Sequence, residues 1–74
     1  QIVALEQGRR SIPITGFKPK YPLALILGNE VRGVSKEILK RSDAVVHLPM
    51  YGKKESLNVS VAAGIALSYL RYGK

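Results

Sequence analysis

Two polar clusters, each set directly after an apolar run, are the parts of this chain equipped for chemistry. Gly28-Asn29-Glu30 follows Leu23 to Leu27, so a residue without a side chain, an amide and a carboxylate meet at the end of an apolar segment. A glycine there lets main-chain groups approach a ligand closely, while Glu30 projects a carboxylate into the same space. The second cluster is Ser56 and Asn58 on either side of Leu57, after the loop Pro49 to Glu55. A hydroxyl, an amide and the unpaired N–H groups of a helix mouth converge there, which suits an anion or a polarised oxygen. Taken singly, each cluster also has a plainer explanation, a turn for the first and a serine N-cap for the second. Neither has the spacing of a phosphate loop or of G-x-G-x-x-G, so nucleoside triphosphates and dinucleotides lose ground as ligands.

Other reactive side chains are few. The chain has no cysteine and a single histidine, His47. Disulfides and thiolate metal sites are excluded, and a metalloenzyme is disfavoured. His47 lies among apolar neighbours in a strand-like run, which suits a structural residue better than a general base. Tyr51, Tyr69 and Tyr72 are able to stack on nucleobases, although Tyr69 stands at helical spacing from Ile65 and suits packing.

The elements that must position these groups follow from periodicity. Ile2 to Leu5 is a short apolar run, read as a strand. Gly8 to Lys20 is a connection containing Pro13, Gly16 and Pro19, with an extended piece expected around Ile12 to Ile14. Leu23 to Leu27 is apolar without alternation, as in a strand covered on both faces of a parallel sheet. Ser35 is placed to cap a short helix reaching Arg41, with Ile38 and Leu39 inward and Lys40 and Arg41 at the favourable end of its dipole. Ala44 to Leu48 reads as the next strand. Ser56 is then the expected cap of a helix from Leu57 to Tyr72, apolar on most of its circumference and therefore expected to be largely buried. The order of elements predicts an α/β fold built on a parallel sheet.

Charge points to a polyanionic partner. Twelve Lys and Arg against five acids give a formal charge of +7 and a pI near 10.1, a potential that attracts phosphate backbones. The basic pairs, among them Arg9-Arg10, Lys40-Arg41 and Lys53-Lys54, are dispersed along the chain. With 46% hydrophobic residues the composition is globular, and the apolar runs are too short to span a bilayer. A chain of 74 residues buries only about 60 to 65% of its unfolded surface, so folding alone is marginal. The chain opens on Gln1 and its strongest motifs crowd the last two thirds. Residues 1–74 are accordingly expected to be the C-terminal portion of one domain whose N-terminal portion is absent.

Together the clusters are similar to a known pair of motifs. Gly28-Asn29-Glu30-Val31-Arg32-Gly33-Val34-Ser35, and Leu48-Pro49-Met50 with Ser56-Leu57-Asn58-Val59-Ser60-Val61-Ala62-Ala63, resemble the second and third motifs of the SpoU (TrmH-type) branch of the SPOUT RNA methyltransferases. The resemblance spans most of residues 23 to 72. It implies methyl transfer from S-adenosylmethionine to a ribose 2′-hydroxyl of tRNA or rRNA, a trefoil-knotted fold, a homodimer, and a cytoplasmic enzyme without membrane or metal. Position by position, it places cofactor contacts on Gly28, Leu48 and Leu57 and polar active-site groups on Glu30, Ser56 and Asn58. It also implies an Arg within Asn-x-Gly-x-x-x-Arg that activates the hydroxyl. No segment here fits that pattern, and Gln7-Gly8-Arg9-Arg10 has the residue types without the spacing. The alternative expectation is a small basic RNA-binding module without catalysis.

Overall fold

A computed structural model describes residues 1–8, 10–29, 32–49 and 59–73. Four strands, β1 (Ile2–Leu5), β2 (Ile12–Pro13), β3 (Ala24–Leu27) and β4 (Ala44–His47), form one sheet in the order β2-β4-β1-β3. Every pairing is parallel, as the unalternating apolar runs predict. β1 lies inside the sheet, and its Val3 and Ala4 are fully buried. The two-residue β2 lies at an edge, a position that tolerates Pro13 because no ladder donor is required on the open side. At the amino end, Ile2 N–H donates to Asp43 Oδ2 (2.6 Å) and Asp43 N–H to the Ile2 carbonyl (2.8 Å), fixing β1 against β4.

Strand alternation divides the apolar residues between two faces. One face sends Val3, Val46 and Leu48 into a core closed by Ala66 and Leu70 of helix α2 (Val59–Tyr72). Ile14 joins the same core from a single 3-10 turn, Ile14–Gly16, so the extended piece expected to reach Ile14 ends at Pro13 instead. The turn lifts Ile14 off the sheet edge and seats it beneath α2. Tyr21 then donates its hydroxyl to the Leu70 carbonyl (2.5 Å), tying the connection before β3 to α2. The opposite face carries Ala4 and Val45 and is approached by helix α1 (Lys36–Arg41).

α1 begins where expected. Ser35 Oγ accepts the Ile38 N–H (3.3 Å), and Lys40 and Arg41 occupy the last turn. Its inward face is narrower than expected, however, for Leu39 is half-buried while Ile38 is 40% exposed. Six residues make fewer than two turns, so one side chain reaches the sheet and its neighbour, about 100° around the axis, does not.

α2 also departs from expectation. Only Ala66 and Leu70 are buried, with Ala62 and Tyr69 partly so, while Val61 (52%), Leu67 (54%) and Tyr72 (71%) face outward. A helix on a sheet covers one stripe of its own surface, and the rest of the apolar circumference finds no partner within these strands. The expected cap Ser56 and the start of the helix at Leu57 lie outside the described residues. The implied knot depends on the path from β4 to α2, which includes residues 50–58, also outside them.

Candidate functional site

Parallel strands bring their carboxyl ends to one edge, where α/β sheets hold their ligands. Leu5 of β1 is level with Leu27 of β3 on one side and Val46 of β4 on the other. The next row is therefore Gly28, Glu6 and His47, and Leu48, which with Gly28 is one of the expected site residues, follows one residue further along. Two strand spacings separate the outer pair of that row by roughly 10 Å.

The loop after β3 is folded back on itself. Asn29 N–H donates to the Gly33 carbonyl (3.2 Å), Gly33 N–H to the Asn29 carbonyl (2.8 Å), and Arg32 N–H to Asn29 Oδ1 (3.3 Å). Gly28 makes this closure possible. A Cβ on it would lie 2.3 Å from the Gly33 carbonyl carbon and 2.5 Å from Val34 N, so the space expected to admit a ligand holds the loop's own backbone. Gly33 has φ +69°, a conformation that glycine adopts without strain.

Beneath this stem sits a residue that the motifs do not single out. Glu6 Oε2 accepts the Val34 N–H (3.1 Å), and a side chain on Gly33 would come within 2.6 Å of the same carboxylate. Glu6 therefore fastens the loop after β3 to the end of β1. Its signal in the sequence is slight: a lone acid directly after a buried strand, in a chain with only five acids.

The remaining site residues separate clearly. The Leu48 side chain is buried in the core with Val46 and Leu70, which leaves its main chain at the sheet edge. His47 has a partner within the fold: its Nδ1 shares a hydrogen bond with Ser11 Oγ (2.8 Å), and that hydroxyl also donates to the Gly8 carbonyl (2.7 Å). Tyr69 packs against the core, also as expected. Glu30, Tyr51, Ser56, Leu57 and Asn58 lie outside the described residues. The structure thus sets Gly28, Glu6 and, one residue further along, Leu48 at one edge of the sheet.

An adenosine-bearing cofactor fits what is present. Main-chain groups at the loop origins after β3 and β4, on either side of the end of β1, are suited to hydrogen-bond a base edge, and the aliphatic ends of the strands are suited to cover its faces.

Residues 1–68 match the model of the SpoU rRNA Methylase family. The chain is 45% identical over 67 residues to a tRNA (guanosine(18)-2′-O)-methyltransferase of Aquifex aeolicus, covering 90% of this chain and 32% of that protein. It is 50% identical over 48 residues to the 23S rRNA (guanosine(2553)-2′-O)-methyltransferase RlmP of Bacillus subtilis, covering 65% of this chain and 19% of that protein. Among solved structures, an AdoMet-bound rRNA methyltransferase from Sinorhizobium meliloti superposes with a TM-score of 0.83 at 30% identity, over 92% of this chain and 26% of the other. The Aquifex aeolicus TrmH/SpoU tRNA modifying enzyme superposes with a TM-score of 0.78 at 45% identity, over 90% and 34%. The chain thus spans about a third or less of the length of these relatives.

Proposed function

The chain belongs to the SpoU rRNA Methylase family, and on that premise we propose that it is the C-terminal portion of an S-adenosylmethionine-dependent methyltransferase acting on a ribose 2′-hydroxyl of tRNA or rRNA. The observation that carries this reading is the carboxyl edge, where Glu6 lies between Gly28 and the end of β4 that leads into Leu48, with the stem after β3 held on the Glu6 carboxylate.

The main chain at Gly28 and Leu48, with Leu57, would hold the cofactor's adenosine, and Glu30, Ser56 and Asn58 would face the reacting ribose. Bound S-adenosylmethionine supplies an electrophilic methyl group on a sulfonium. What the protein contributes is alignment of the ribose oxygen and removal or screening of its proton. Glu6 acts at one remove by fixing the stem formed by Asn29 and Gly33. The hydroxyl-activating Arg is assigned to neither Arg9 nor Arg10, because neither stands at the family spacing.

The protein is further proposed to be a cytoplasmic homodimer. Support comes from α2, where Val61, Ile65 and Tyr72 are exposed and fall on one helical strip at spacings of four and seven. No helix among the described residues is long and apolar enough to cross a membrane.

Titration calorimetry of the whole protein with S-adenosylmethionine and S-adenosylhomocysteine is the deciding experiment. Saturable binding by both is expected. No detectable heat at millimolar ligand, with RNA binding retained, would replace the enzyme by a basic RNA-binding module.

A further inference from the structure

On the sheet face opposite α2, a cleft of about 280 Å³ opens between α1 and the turn that follows β1. Arg10 stands on the turn side and Lys36 and Lys40 on the helix side, with Leu39 and Val45 as apolar lining. Lys36 and Lys40 are one helical turn apart, a spacing at which like charges repel. Among the described residues no carboxylate forms an ion pair with either. The ion pair of this helix joins Arg41 to Glu37 (3.1 Å) instead, and the one acid lining the cleft, Glu6, accepts the Val34 N–H.

The opposite wall is preset. Ser11 N–H donates to the Gly8 carbonyl (3.1 Å), Gly8 N–H donates to Ser11 Oγ (3.2 Å), and the same hydroxyl meets His47 in β4. The turn bearing Arg10 is therefore anchored to the sheet before any ligand arrives. Three cations against the single carboxylate of Glu6, around an apolar lining, suit a phosphate carried on a sugar and base better than they suit a free inorganic anion.

We propose that this cleft docks one nucleotide unit of the RNA substrate, its phosphodiester among Arg10, Lys36 and Lys40 and its sugar or base against Leu39 and Val45. The identity of the polyanion rests on the methyltransferase reading; the cleft and its charge do not. Glu6 borders both the cleft and the loop after β3, so RNA held here lies beside the carboxyl edge where the methyl group would be transferred. Such contacts position a backbone without reading its sequence.

The test is fluorescence anisotropy of a labelled oligouridylate with the whole protein across a salt series, comparing wild type, the double variant Lys36→Gln/Lys40→Gln, and Arg41→Gln as control. The double variant is expected to bind about tenfold more weakly near 0.1 M salt and to flatten the log–log salt slope by roughly 0.7 for each phosphate no longer neutralised. Arg41→Gln should stay near wild type, and S-adenosylmethionine affinity by calorimetry should not change in either. Amide NMR of the same titration should show shifts at Gly8, Ser11, Lys36 and Leu39 that disappear in the double variant. An unchanged slope with cofactor binding intact overturns the cleft alone. A flattened slope without any cofactor binding upholds the cleft and sinks the methyltransferase reading.

Discussion

At the scale of single residues, the loop after β3 depends on atoms that are missing. Gly28→Ala would force a Cβ to within 2.3 Å of backbone, which cannot rotate away as a flexible side chain would. The substitution is expected to cost about 1 to 3 kcal/mol in denaturant titration and to weaken S-adenosylmethionine binding; a variant unchanged in both would show that the stem is not needed. Asn58→Ala should behave differently. Because the amide is assigned to the reaction centre rather than to the adenosine, turnover should fall much more than cofactor affinity, and an unchanged rate would remove Asn58 from the site. Gly28 stands out in the sequence from its place after an apolar run, but the partner of its missing side chain does not. Glu6 escapes notice because a carboxylate that bonds a main-chain N–H 28 residues away leaves no local pattern.

At the scale of elements, α2 is the instructive case. Its composition predicts a helix and its apolar content predicts burial, yet the sheet covers only the stripe that includes Ala66 and Leu70. Leu70→Ala should therefore destabilise by about 2 to 5 kcal/mol, as buried leucines do. Leu67→Ala, at an exposed position on the same helix, should cost less than about 0.5 kcal/mol. Equal costs in chemical denaturation would contradict the packing described. The strands are readable because unalternating apolar runs have few other uses, and α1 because Ser35 and its C-terminal cations mark both ends. Periodicity alone does not show that Ile38 stays exposed, since that depends on how few turns α1 lays over the sheet.

At the scale of the molecule, the exposed strip of Val61, Ile65 and Tyr72 is an apolar surface on a strongly basic chain. If it joins two copies, Val61→Asp should halve the mass measured by light scattering, because a carboxylate would have to be desolvated at the contact. A wild-type protein that is already monomeric would refute the dimer. The amino-acid sequence by itself determined the main strands and helices, the parallel α/β class, the family and the sense of the charge, because these depend on local periodicity, short motifs and sums over residues. Tertiary structure decided the strand order that sets Glu6 between Gly28 and the end of β4, the use of the Gly28 space by its own loop, and the meeting of Arg10 with Lys36 and Lys40 around one cleft. The first and last of these join segments distant along the chain, fixed only when the sheet closes and the crossovers choose their faces, and the second depends on the loop's closure onto Glu6.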